Sequence, residues 1–165
     1  MKTRGHIYMA NLLLQELREQ EGCLTLPTVP DDRGKVEYLK YQIPDQIDTA
    51  IRNHPGCFRA GAVGPDFFPD MLTGQMSIHP QNSGKWLDMM FEELRKMHPY
   101  GDEFEKALAF YMGWMMHYCG DMYGHQYVNL YAYGWFPSIA EMFGHAKELF
   151  ISPAVKAVMD FLQRH

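Results

Sequence analysis

Apolar positions recur at helical spacing along most of this chain. Residues 6 to 20 carry Ile7, Leu12, Leu13, Leu14 and Leu17, the spacing of an amphipathic helix. A short helix is expected over 45 to 54, behind Pro44. Residues 84 to 97 place Trp86, Leu87, Met90 and Leu94 on one side of another. Between these two lies a stretch from Gly61 to Asp70, GAVGPDFFPD, whose glycines and prolines read as a loop. The longest helix is expected to start at Asp102. Asp102 can cap the free N–H groups, and Glu105, three residues on, completes a capping box. Its pattern runs through Phe104, Leu108, Tyr111, Met115 and Tyr118 to about Asn129. It is apolar nearly all round, which marks a buried central helix. Pro137 and Pro153 sit where helices start well and open segments 138 to 149 and 153 to 164. No segment reads as a convincing strand. The expected class is all-α, a single-domain helical bundle over 1–165 around that central helix.

Composition narrows the function more than the fold. The chain has 165 residues, 47% hydrophobic and 21% charged, which fits one soluble domain with its own core. A net charge of −5 and the lack of a Lys/Arg run leave no general attraction to nucleic acid. Cys23, Cys57 and Cys119 are widely spaced and odd in number, so they read as buried free thiols, with one disulfide as the alternative. No stretch is apolar and long enough to span a bilayer, and the charged first 20 residues are no signal peptide. The chain as it stands reads as cytoplasmic, and as secreted if an export signal once preceded Met1.

The chemistry is concentrated on the central helix, in His117-Tyr-Cys-Gly-Asp121-Met-Tyr-Gly-His125. Steps of four residues turn a side chain by only about 40°, so His117, Asp121 and His125 share one face. Each step climbs about 6 Å, which leaves the two imidazoles about 12 Å apart along the axis. Zinc–nitrogen bonds are about 2 Å long, so one ion does not reach both. A carboxylate between them, with two oxygens, can serve an ion on either side. The plainer alternative is three core residues satisfied by hydrogen bonds. An unpaired buried polar group costs about 1–3 kcal/mol, and metal ligation would satisfy all three together. Gly120 and Gly124 serve either reading, through helix packing or through close approach of other ligand-bearing segments. Further candidates are His6 at the start of the first helix, Asp66 in the Gly/Pro loop, His79 in the next loop, and His145 with Glu148 on one helix face.

Together these segments resemble the zinc-dependent phospholipase C family, which is related to the fungal single-strand-specific zinc nucleases. Gly5-His6-Ile7, the loop GAVGPDFFPD, His79, HYCGDMYGH and GHAKE occur in family order from about residue 5 to 149. The resemblance implies an all-helical fold around a cluster of two or three zinc ions. By position, Asp66, His79, His117 and Asp121 would hold one ion, His125, His145 and Glu148 a second, and His6 with a bridging Asp121 a third. The closing pair has two intervening residues where the family usually has three, and Glu141 is a substitute for Glu148.

The activity implied is phosphoric ester hydrolysis of the phospholipase C kind by a zinc-activated hydroxide. Asp66 would orient or deprotonate the nucleophile, and the substrate would be a phospholipid or a similar head group. A nuclease on the same core is an alternative, with nucleic acid as substrate only. Tyr118, Tyr123, Tyr127, Tyr131, Tyr133 and Trp135 would then stack bases, although such aromatics more often form core and groove wall. A third reading is a non-catalytic, metal-stabilised module. Iron or manganese also suit such donors.

Overall fold

The computed structural model describes residues 3–68, 78–79, 82–97 and 101–132, with side chains in the last helix described as far as Gly124. The expected segments 138 to 149 and 153 to 164, with Pro137 and Pro153, lie outside the described residues. Five α-helices and one small ribbon are seen among those described: α1 (Thr3–Glu19), β1 (Cys23–Pro27), β2 (Tyr38–Gln42), α2 (Asp45–Asn53), α3 (Pro55–Val63), α4 (Ser83–Lys96) and α5 (Asp102–Ala132). A 3-10 turn, Gly64–Phe67, continues α3. The architecture is all-α in its core, and no described helix is long and apolar enough to cross a membrane.

The 31-residue α5 runs through the middle, and α1, α2, α3 and α4 all pack on it. Its side chains Phe104, Leu108 and Ala109 meet Ala10, Leu14 and Leu17 of α1, Ala50 and Ile51 of α2, Phe58 and Ala62 of α3, and Leu94 of α4. Toward its C-terminal half, Trp114 and Tyr118 form a smaller core with Leu87 of α4. The buried stripe of α1 is His6, Ala10, Leu14 and Leu17. Leu12, expected on that face, is exposed, because the stripe is set by what α1 packs against and runs through a small alanine and a histidine. An imidazole thus occupies a core position.

α3 and α5 approach more closely than ordinary side chains permit. A Cβ on Gly61 would fall 2.0 Å from the Phe110 carbonyl oxygen, and one on Gly113 2.1 Å from that of Phe58. This explains why part of the expected loop is helix. Pro55 opens α3 at its first turn, and Gly61 is there for contact rather than for bending. Among the described residues of that loop, the irregular part is Gly64–Phe67 and the extended Phe68.

The ribbon is a second departure from expectation. β1 and β2 pair antiparallel, from Cys23 opposite Gln42 to Pro27 opposite Tyr38. Both strands are half-exposed or exposed, so they carry little of the apolar patterning by which strands are recognised. Their connection is closed by Asp31, whose carboxylate accepts the Arg33 and Lys35 N–H groups at 2.8 Å each, and by Gly34 at φ +76°. α1 ends through Glu21 and Gly22, both at positive φ, with the Gly22 N–H bonded to the Leu17 carbonyl. A Cβ on Gly22 would strike the carboxyl group of Asp48, which is buried on α2 and paired with Arg52.

The capping box at Asp102 does not form as expected. Asp102 is already helical, and the Gly101 carbonyl accepts the Glu105 N–H. The Asp102 carboxylate pairs with Lys106, which holds it below the usual carboxylate range, and also faces His54. Glu105 faces His54 and accepts the Asn53 amide. Both acids thus also face the corner between α2 and α3, and Asp102 ties down its own first turn through Lys106. The three cysteines are free, as expected, but half-buried rather than buried. Burial pushes the Cys119 thiol up.

Candidate metal centre

The spacing of α5 delivers two of its chemical side chains to one buried place. His117 is fully buried and Asp121 is 5% exposed. They face each other one helical turn apart, with His117 Nε2 3.3 Å from Asp121 Oδ2. His79, from the segment ahead of α4, places Nε2 3.0 Å from the same oxygen. His6, also fully buried, places Nε2 3.1 Å from the other oxygen, Oδ1. The His6 and His117 rings stack with centroids 3.9 Å apart and planes 22° apart. Three imidazoles thus converge on the two oxygens of one buried carboxylate.

Asp66 sits in the 3-10 turn, half-buried, and accepts a hydrogen bond from Thr3 Oγ1 at 3.3 Å. The donor atoms fall into two overlapping groups, His6, Asp66 and His117 in one and His79, His117 and Asp121 in the other. Within each group the atoms lie within 4.8 Å of one another. His117 belongs to both. This differs from the set expected by position, in which Asp66 stands with His79. In α5 the backbone carries His125 two turns beyond His117, but its side chain is outside the described residues. His145, Glu148 and Glu141 are outside them too.

The donor chemistry asks for a cation. His117 Nδ1 is 3.1 Å from the Ala62 carbonyl oxygen, which can only accept, so the ring's proton is held there. In the neutral imidazole Nε2 is then a bare lone pair aimed at a carboxylate oxygen. His6 has no hydrogen-bond partner on either ring nitrogen among the described residues, and His79 has none on Nδ1. Buried polar groups are normally satisfied. Protonating all three rings would press two stacked imidazolium ions against each other at 3.9 Å. Divalent cations between lone pairs and carboxylates resolve both problems, and a histidine bonded to a carbonyl through its second nitrogen is the usual form of an imidazole ligand. Imidazole with carboxylate suits zinc.

A family model describing zinc-dependent phospholipase C matches residues 5–147. The chain belongs to that family. No curated protein and no solved structure is significantly similar to it. Membership makes the chain one of a family of zinc-dependent hydrolases, and the donor set from α1, the 3-10 turn, the segment ahead of α4 and α5 fits zinc.

Several supporting groups escaped the sequence reading. The Ala62 carbonyl that fixes the His117 ring carries no side-chain signal at all. Thr3 lies ahead of the family motif. Tyr118 takes the core role expected more often of such aromatics, 5% exposed and unavailable to a base, whereas Tyr123 is 62% exposed. Gly64, visible in the sequence as a loop glycine, has a specific task. It adopts φ +56° and ψ −139°, a region close to glycine-only, and a Cβ there would fall 2.7 Å from the His117 ring. Gly64→Ala is expected to destabilise the protein by roughly 1–3 kcal/mol through backbone strain alone. It should also push His117 off the Ala62 carbonyl and weaken zinc binding. Chelator competition checks this, and an unchanged zinc affinity would mean that the ring position does not matter.

Proposed function

We propose that the protein is a phosphodiesterase of the phospholipase C kind, with two or three zinc ions held by His6, Asp66, His79, His117 and Asp121, together with His125, His145 and Glu148. The observation that carries this reading is the convergence of three imidazoles on the buried Asp121 carboxylate, with ring nitrogens otherwise left unsatisfied. Bound zinc supplies Lewis acidity and brings the pKa of water down to about 7. Asp66, Asp121 and Glu148 return less charge than even two zinc ions bring, so the site is positive within an acidic chain. That local excess attracts a phosphate. Asp121 is the inner anchor, buried and shared between donors on α1, α5 and the segment ahead of α4. Asp66 is the better placed group for proton traffic. It is only half-buried, and one of its oxygens accepts a hydrogen bond from the Thr3 hydroxyl. It orients the attacking water and takes up its proton.

Protein purified without added metal is expected to contain two or three zinc ions per chain by elemental analysis. It should hydrolyse phosphatidylcholine to diacylglycerol and phosphocholine, lose this activity to a chelator and regain it with zinc. Cleavage of single-stranded DNA with no action on the lipid would replace the phospholipase reading with the nuclease one. A protein that takes up no zinc would sink both.

A further inference from the structure

His79 differs from His6, His117 and Asp121 in what holds it. His6, His117 and Asp121 stand on long helices, α1 and α5. His79 lies ahead of α4, directly after Ile78, and meets side chains of α4 and α5 there. A ligand that is 1 Å out of place costs much of a site's function, which is why ligand orientation is ordinarily fixed by a second layer of contacts.

We propose that Tyr118 is the positioning residue for His79, acting with Ser83 through the carbonyl group of Ile78. The Tyr118 hydroxyl donates to the Ile78 oxygen at 2.8 Å, and Ser83 Oγ donates to the same oxygen at 3.2 Å. The Tyr118 ring lies against the His79 ring, centroids 5.2 Å apart and planes 18° apart. One side chain thus holds the backbone just before the ligand and the face of the ligand itself. Tyr118 is also the neighbour of His117 and stands three residues before Asp121 on α5. The seat of His79 is therefore built on the same rigid helix as the groups His79 must meet. Trp114 and Leu87 pack Tyr118 into place from α5 and α4. The arrangement parallels the Ala62 carbonyl at His117 and the Thr3 hydroxyl at Asp66, each fixing one donor from outside the site.

This inference rests on the metal-centre reading, and its test keeps the two apart. Cobalt(II) and zinc binding are measured on the full chain, by visible absorption and by chelator competition, for the unaltered protein, Tyr118→Phe, Ser83→Ala and His79→Ala. The unaltered protein should bind both metals, and His79→Ala should change the cobalt spectrum. Tyr118→Phe keeps the ring and removes the hydroxyl. It is expected to weaken zinc binding about 10- to 100-fold, the usual loss for an outer support of a metal ligand, and to shift the cobalt spectrum toward that of His79→Ala. A role in packing alone would lower the apoprotein's melting temperature and leave the spectrum as it was. Should Tyr118→Phe fold poorly, Ser83→Ala, which reaches the same carbonyl from α4, should give the same spectral shift at smaller amplitude. Normal cobalt spectra in both variants, with an altered one in His79→Ala, would overturn the positioning role and leave the metal centre standing. A normal spectrum in His79→Ala would overturn it as well, since His79 would then be no ligand. Absence of metal uptake by the unaltered protein would reject the metal centre itself.

Discussion

Asp121→Asn is expected to abolish hydrolysis and to cost more zinc affinity than the 10- to 100-fold typical of an outer-shell loss, while leaving the metal-free protein at least as stable as before. The first half follows from position. Asp121 presents one oxygen to His6 and the other to His79 and His117, so no other described side chain sees all three imidazoles. The second half separates two physical accounts of the cluster. If the three imidazoles were protonated and the cluster were a buried ion-pair network, removing its anion would strand buried cations and destabilise the fold by about 3–5 kcal/mol. If the imidazoles are neutral and a cation belongs between them, the metal-free site instead holds a desolvated carboxylate against the bare Nε2 of His117. Asparagine relieves that cost. It keeps the shape and adds an N–H donor for one of the bare nitrogens. Thermal unfolding with and without zinc reads the difference. The unaltered protein should gain about 2.7 kcal/mol at a zinc concentration 100 times Kd, and Asp121→Asn should gain little. A metal-free Asp121→Asn that melts several degrees lower would favour the ion-pair account.

How much of this was legible follows from how each feature is encoded. α5 was readable almost to its ends, because a long helix repeats its pattern many times. The four-residue step from His117 to Asp121 was readable for the same reason, since regular geometry makes spacing a statement about direction. His6 was legible as a candidate, but its burial was not, because the stripe it belongs to runs through Ala10 and is weaker in hydrophobicity than the exposed Leu12 suggests. The ribbon was missed because its strands are short and open to solvent, and a half-exposed pair needs no strong alternation. Only the last turn of α3 reads as loop in the sequence, because Gly61, Gly64 and Pro65 look alike as breakers. Only the partner helix reveals that Gly61 is a contact residue and Gly64 a true exit. The contacts that aim the donors, Ala62 to His117 and Tyr118 to Ile78, join residues 55 and 40 positions apart. No local pattern carries them.

That partner contact supports the second large effect. Gly113→Ala is expected to destabilise the protein by about 3 kcal/mol or more, the upper end for overpacking. For a chain of this size that lowers the melting temperature by roughly 6–12 °C. Most overpacked sites recover part of the cost by swinging a side chain aside. Here the obstructing atom is the Phe58 carbonyl oxygen, 2.1 Å from where the methyl carbon would sit, with the Ala62 nitrogen at 2.8 Å. Backbone of a packed helix moves only if the whole helix moves, so α3 must retreat from α5. Its retreat carries the Ala62 carbonyl away from His117 Nδ1 and Gly64 away from the ring. Zinc affinity should therefore fall together with stability, although Gly113 touches no candidate ligand. Gly56→Ala is the control. It lies in α3, on the other side of that crossing, with nothing within 4 Å of a new Cβ, and replacing a helical glycine by alanine there should be neutral or stabilising by up to about 1 kcal/mol. Calorimetry on the two variants decides the matter. Equal melting temperatures would mean that α3 and α5 do not cross as closely as the glycines indicate, and the seat of His117 would have to be sought elsewhere.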